Sequence, residues 1–294
     1  MKYCFTVNGM QVETEKECNM LEFLREDLDV TSVKDGCSEG ACGACTILVD
    51  GRKMQACILT TKKADGKTIL TVEGLSNQEK QIYEYAFSKV GAVQCGFCIP
   101  GMVISAKSLL DKNQNPTVAE IKQAIKGNFC RCTGYKKIIE GILLAAKCLR
   151  GEETPKLEAA KGYVGEKAVR PDASAKILGT GKFAADIKVP GMVYGSALRA
   201  AFPRALVKAI HIEKALQHPE CVKIVLAEDV PGERVIGHLT MDWPALIAVG
   251  EETRYYGDAV ALVAAKSKQA LQEIKDLIDV EYEERKPILI QRKR

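Results

Sequence analysis

Alternating apolar positions open the chain. Lys2–Val7 and Met10–Thr14 are short runs of β character around Asn8-Gly9, a dipeptide that favours a two-residue hairpin turn. A helical stripe follows, with Leu21, Leu24 and Leu28 on one face, Asn19 placed to cap it and Glu22 at the capping-box position. Thr46–Val49 and Lys53–Cys57 flank Asp50-Gly51, a second hairpin signal, and Thr68–Val72 reads as a last strand. Between the helix and the second hairpin, Asp35 to Cys45 shows no periodicity.

From Ser76 the period becomes helical. Gln78–Val90 and Pro100–Leu110 each predict a helix, the second with Pro in the favoured first turn. Thr117 and Glu120 form a capping box for Val118–Lys126, and Ile138, Ile142, Ala145 and Leu149 mark the buried stripe of a fourth helix. Residues 151–166 are polar and charged, as a linker is. Beyond them, strand-like runs (Val222–Leu226, Val260–Ala264, Ile278–Val280) alternate with helical ones (Ala205–Ala209, Lys268–Leu277), which suits an α+β module. The organisation expected is therefore 1–75, 76–150, a linker over 151–166, and 167–294.

Composition narrows the class. At 294 residues and 47% hydrophobic the chain has material for two or three folded domains. No apolar run approaches the ~20 residues of a transmembrane helix, and Met1-Lys2-Tyr3-Cys4-Phe5 lacks signal-peptide architecture. The expectation is a reducing cytoplasm, where twelve cysteines point to metal rather than to disulfides. The net charge of +4 divides unevenly: −3 over 1–75, +6 over 76–150 and +1 over the remainder. Basic residues are not interleaved with aromatics as a nucleic-acid surface would want, so a solvated face is the reading for Lys136-Lys137.

Eight cysteines fall into two quartets of unlike spacing. The first is Cys37-x4-Cys42-x2-Cys45-x11-Cys57, which has the plant-type ferredoxin spacing of a [2Fe–2S] site. Gly36, Gly40 and Gly43 are interleaved with these ligands, letting backbone N–H groups wrap the sulfurs. The second is Cys95-x2-Cys98-x31-Cys130-x-Cys132. Cys95 and Cys98 directly precede the helix at Pro100, whose free N–H groups favour thiolates, and Gly134 frees the backbone just after Cys132. A pair of zinc sites is the alternative, although the partner of Cys95-x2-Cys98 is a Cys-x-Cys rather than a second knuckle. Cys4, Cys18, Cys148 and Cys221 have no partner at ligand spacing and read as free thiols, and His211, His218 and His238 lack metal-ligand spacing. Gly179-Thr180-Gly181-Lys182 matches no nucleotide loop and reads as a turn.

Three motifs in order then carry a resemblance: Gly36-Cys37-Ser38-Glu39-Gly40-Ala41-Cys42-Gly43-Ala44-Cys45-Thr46, Gln94-Cys95-Gly96-Phe97-Cys98-Ile99-Pro100-Gly101-Met102, and Gly127-Asn128-Phe129-Cys130-Arg131-Cys132-Thr133-Gly134-Tyr135. Together they resemble the iron–sulfur part of the molybdenum hydroxylases, the xanthine dehydrogenase and aldehyde oxidoreductase family. Tyr194–Arg199, Asp229-Val230-Pro231-Gly232, Tyr256–Ala261 and Val280-Glu281-Tyr282-Glu283 resemble the family's α/β hammerhead module. The resemblance implies a multidomain α+β fold: a β-grasp plant-type ferredoxin domain, a four-helix [2Fe–2S] domain, then an α/β hammerhead domain.

By the same resemblance, Cys95, Cys98, Cys130 and Cys132 would hold the cluster proximal to molybdenum, and Gln94 and Cys132 would lie against the pterin. Cys37, Cys42, Cys45 and Cys57 would hold the distal cluster. The 294 residues include neither the family's molybdopterin pocket with its general-base glutamate nor a flavin domain. The expectation is a split large subunit, with a molybdopterin-binding catalytic subunit and an FAD subunit as partners. The chain itself would supply no catalytic residue. The expected role is the electron relay of a complex oxidising a purine or other N-heterocycle. Aldehyde and CO dehydrogenases of the same family, a stand-alone two-cluster shuttle and a zinc-held scaffold are the alternatives.

Overall fold

The computed structural model describes residues 2–157, 162–166 and 168–290. By internal contacts it divides into two compact units, Met1–Ile187 and Lys188–Arg294.

The first unit begins with the expected hairpin. Strands β1 (Tyr3–Val7) and β2 (Met10–Thr14) pair antiparallel, with Asn8 and Gly9 at φ of 50° and 86°, as a type I′ turn needs. Helix α1 (Met20–Glu22) starts at Asn19, whose side chain accepts the Glu22 N–H at 2.8 Å. The Glu22 carboxylate turns to Lys16 at 3.0 Å instead of closing a capping box. The helix then widens into a π-helical turn, Phe23–Asp27, closed by the Leu28 N–H on the Phe23 carbonyl at 3.2 Å. Strands β3 (Thr46–Val49) and β4 (Arg52–Gln55) form the second hairpin, and β5 (Thr68–Leu70) completes a sheet of order β2-β1-β5-β3-β4 with β1 and β5 parallel. Two ends fall short of expectation: Cys57 lies in a turn after β4, and Val72 opens a 3-10 turn.

β3 is buried along its whole length because two cores meet at it. Ile47 and Val49 belong with Phe5, Phe23, Leu24 and Ile69 in the core between sheet and helix. Leu48, pointing the other way as strand alternation demands, enters the core of the helices that follow. Those are α2 (Asn77–Val90), α3 (Ile99–Leu110), α4 (Val118–Ile125) and α5 (Lys136–Leu149). Reciprocal capping boxes close the starts of α2 (Ser76/Glu79) and α4 (Thr117/Glu120), and Pro100 sits in the first turn of α3. Ile138, Ile142 and Ala145 of α5 are fully buried, as their spacing predicts, while Leu149 at the end of that stripe is half-buried.

Of the linker expected over 151–166, residues 158–161 lie outside the described residues, as do 167 and 291–294 of the third module. From 168 the chain packs within the first unit, so the contact boundary at Ile187 falls later than that linker. Helix α6 (Ala173–Ile177) buries Ala173 and Ile177 in the helical core. The Arg170 guanidinium donates to the Gln94 carbonyl at 2.7 Å. Asp186 then bridges two cations at 2.6 Å each, Arg25 and Lys34, and both the Lys34 and the Asp186 side chain are 1% exposed.

The second unit contains β6 (Tyr194–Arg199), β7 (Ala205–His211), α7 (Glu213–Leu216), β8 (Cys221–Val225), β9 (Val235–Ile236), β10 (Trp243–Pro244), β11 (Ala259–Ala265), α8 (Lys268–Asp276) and β12 (Asp279–Glu284). An antiparallel sheet β6-β11-β8 receives the apolar face of α8, where Ala270, Leu271 and Ile274 meet Val263 and Ala265. β7 pairs with β12, and β9 with β10. The helical reading of Ala205–Ala209 is therefore wrong. That run is a strand whose alternation buries Ala205 and Val207, and β12 supplies the ladder that its alanines alone did not announce. No helix among the described residues is long and apolar enough to cross a membrane.

Candidate metal centres

The loop from Asp35 to Cys45 is folded by its own polar groups. The Ser38 hydroxyl donates to Asp35 at 2.7 Å, and Ser38, Gly40 and Gly43 all take positive φ. This curls N–H groups inward. The amides of Glu39 and Cys42 point at the Cys37 sulfur (3.4 Å each), and that of Gly40 at Cys57 (3.2 Å). The Glu39 and Cys42 amides pull the Cys37 thiol down to about 7. Cys45 is 2% exposed, and burial pushes its thiol up to about 12. Glycine is required at Gly36, where a Cβ would sit 2.8 Å from the Cys42 sulfur.

The second site joins two stretches. Cys95 and Cys98 precede α3, while Cys130 and Cys132 lie between α4 and α5. The Cys130 N–H donates to the Tyr135 hydroxyl at 2.9 Å, and the Cys130 sulfur lies 3.1 Å from the Thr133 hydroxyl. Burial opposes the Cys130 thiolate, but the Thr133 hydroxyl and the Thr133 and Cys132 amides outweigh it and lower its pKa. Burial raises Cys98 strongly. Cys95 and Cys132 are exposed, as is Gln94, whereas Cys98 and Cys130 are buried, so the site has a wet edge and a dry one.

Sulfur pairing tests the fit to a cluster. Cys37 lies within hydrogen-bonding reach of Cys42, and Cys45 of Cys57. In the second site Cys95 and Cys132 are 3.7 Å apart, and Cys98 reaches Cys130. A [2Fe–2S] cluster takes two thiolates on each iron, and both quartets are disposed as two such pairs. Among the described residues no group of three or more His, Cys, Asp or Glu is arranged around a single ion. The N–H groups aimed at sulfur suit an anionic cluster. The structure thus brings together all eight cysteines that the spacing singled out, four to a site, and leaves Cys4, Cys18, Cys148 and Cys221 as free thiols elsewhere. The pairing across motifs and the roles of Thr133 and Tyr135 are not visible in spacing alone.

The two loops touch. The Phe129 N–H, next to Cys130, donates to the Cys42 carbonyl at 2.7 Å. Asn128, 2% exposed, donates to the Gly43 carbonyl (2.9 Å) and the Thr46 hydroxyl (3.0 Å) and accepts from Ser105 (2.6 Å). The approach is close enough that a Cβ on Gly43, at φ +66°, would lie 2.1 Å from the Gly127 carbonyl oxygen.

Comparison with known proteins agrees with this geometry. Residues 4–82 match the family model of a 2Fe-2S iron-sulfur cluster binding domain, 71–143 that of a [2Fe-2S] binding domain, and 178–286 that of the aldehyde oxidase and xanthine dehydrogenase a/b hammerhead domain. The nicotinate dehydrogenase small FeS subunit of Eubacterium barkeri is 47% identical over 46% of this chain and 87% of its own length. The aldehyde oxidoreductase of Megalodesulfovibrio gigas is 34% identical over 95% of this chain. The solved aldehyde oxidoreductase from Desulfovibrio gigas superposes with a TM-score of 0.83 at 32% identity over 97% of this chain. The chain spans only about a third of both aldehyde oxidoreductases, 33% and 34% of their lengths. Two [2Fe–2S] binding domains and a hammerhead domain, in this order and with cysteines so paired, mean that the chain belongs to the molybdenum hydroxylase family, whose members are oxidoreductases.

Proposed function

We propose that this chain is the iron–sulfur relay of a multi-subunit molybdenum hydroxylase, taking electrons from a molybdopterin site on a catalytic partner and passing them to FAD on another subunit. The observation that carries this reading is the pairing of eight thiols into two sites whose loops are hydrogen-bonded to each other. Bound there, each cluster supplies a one-electron redox step. Cys37, Cys42, Cys45 and Cys57 hold the distal cluster, and Cys95, Cys98, Cys130 and Cys132 the proximal one. The exposed edge formed by Gln94, Cys95 and Cys132 is where a partner's pterin would lie. The buried Cys98 and Cys130 keep water from the opposite side, and the Phe129–Cys42 hydrogen bond ties the two loops. Twelve cysteines with no disulfide among them suit a reducing cytoplasm.

A purine or other N-heterocycle is the proposed substrate, supported by the 47% identity to the small FeS subunit of nicotinate dehydrogenase. An aldehyde is the second reading, favoured by the likeness to aldehyde oxidoreductase that runs through the hammerhead domain. The test is the metal content and subunit composition of the native complex purified through this chain. About four irons per copy, with molybdenum and a large co-purifying subunit, supports the relay. Zinc in place of iron refutes the clusters, and iron without molybdenum or a stable partner favours a stand-alone shuttle.

A further inference from the structure

A groove of about 630 Å3 runs between α4 and α5 of the first unit. Its floor is apolar: Val118, Ile125, Ile139 and Leu143 line it, and Val118 is left 45% exposed at the first turn of α4. Its rim is cationic, with Lys122, Lys126 and Lys136 all facing the cavity. Among the described residues none of these three lysines makes an ion pair, and the three converge on one cavity. The one acid on the rim, Glu140, is already held by Lys137 at 2.9 Å. Three unspent ammonium groups around an apolar trough call for an occupant carrying carboxylates beside an apolar stripe. Two helices framing a trough offer the seat for a third helix.

One end of the groove is formed by Gly134 and Tyr135. Tyr135 sits at φ +66°, and its hydroxyl accepts the Cys130 N–H at 2.9 Å. Whatever fills the groove therefore abuts a residue whose hydroxyl is bonded to the backbone of a proximal-cluster cysteine.

We propose that this groove seats an acidic amphipathic helix of the molybdopterin-carrying partner subunit, so that docking and the setting of the Cys130–Tyr135 loop are one event. The inference rests on the assembly proposed above and names the surface that makes it.

The experiment uses the holo chain and its catalytic partner, with amide exchange followed over 118–143 and association measured against salt. In the wild-type complex these residues gain protection. Lys122→Glu combined with Lys126→Glu weakens association at least tenfold and flattens its salt dependence, while the visible spectrum of the clusters is unchanged. Both lysines are exposed, so their replacement does not disturb the core. Val118→Asn weakens association without changing the salt slope. A wild-type complex that forms with 118–143 unprotected, or that tolerates the double reversal, overturns the groove and leaves the assembly standing. Protection already present in the isolated chain and rising with its concentration assigns the groove to a second copy and overturns it as well. Failure of the wild-type chain to bind any molybdopterin subunit overturns both readings.

Discussion

Replacing Asn128 by Ala tests whether the two cluster loops are held by one buried side chain. The substitution removes three hydrogen bonds, to Gly43, Thr46 and Ser105. The losses are unequal. The Gly43 carbonyl keeps the Thr46 amide (3.1 Å) and hydroxyl (2.7 Å), so it is not orphaned. The Ser105 hydroxyl, 0% exposed, loses its acceptor, and an unsatisfied buried hydroxyl costs about 1–3 kcal/mol. The emptied space beside Gly101 and Thr46 adds to that, for a local cost of ~2–3 kcal/mol. Amide exchange in the holo protein reads this directly, because the Phe129 N–H donates from one loop to the Cys42 carbonyl of the other and the Thr46 N–H closes the first loop on the Gly43 carbonyl that Asn128 also holds. At ~1.4 kcal/mol per factor of ten, their exchange should quicken roughly 25- to 140-fold. Amides of β1 and β2, remote from the joint, should not change. Ser105→Ala in the Asn128→Ala background should recover part of the loss, since the orphaned hydroxyl is gone. Unchanged exchange at Phe129 and Thr46, or an equal rise over the whole unit, would refute the clamp.

Cys132→Ser should abolish the proximal cluster's paramagnetic signal and spare the distal one, because its sulfur pairs with Cys95 and not with any cysteine of the first loop; equal loss of both signals would sink separate sites. Asp186→Asn strands Lys34 and the Arg25 guanidinium without their carboxylate. Breaking a buried pair this way costs about 3–5 kcal/mol, and limited proteolysis within 168–187 should accelerate while the second unit's cleavage pattern is retained. His211, 2.8 Å from Glu281 across the β7–β12 ladder, titrates above its ordinary value because of that hydrogen bond. A raised folded-state pKa stabilises below the unfolded value of 6.5 and is lost as pH climbs through the folded one. A proton-NMR titration should therefore place the His211 midpoint above 6.5, and Glu281→Gln should bring it back.

Much of the first unit could be read in advance because its signals are local. Asn8-Gly9 and Asp50-Gly51 set their hairpins by backbone preference alone, and Thr117 with Glu120 announces α4 within four residues. Ligand spacing is a local signal too, since the glycines that curl the first loop lie between its cysteines. What escaped was long-range. In the second site each thiol pair draws one cysteine from before α3 and one from after α4, so no stretch of sequence contains it. Asn128 looks like any loop asparagine until Gly43, Thr46 and Ser105 converge on it. Ala173 and Ile177 read as the start of the third module, yet they pack in the helical core of the first unit, a contact no local signal announces. Ala205–Ala209 reads as helical from its alanines because β12, its partner, comes some seventy residues later.

β3 gives Ile47 and Val49 to one core and Leu48 to the other. A strand shared in this way cannot act as a hinge, since moving either layer would expose residues that are buried now. The spacing between the two metal loops is accordingly fixed by side-chain packing and does not fluctuate with solvent drag. In the proposed relay, electron hopping between them would need no domain to swing shut, and thickening the medium with glycerol or sucrose should leave its rate unchanged. In the proposed complex any viscosity dependence would then have to arise elsewhere, in substrate exchange or in the meeting with the acceptor.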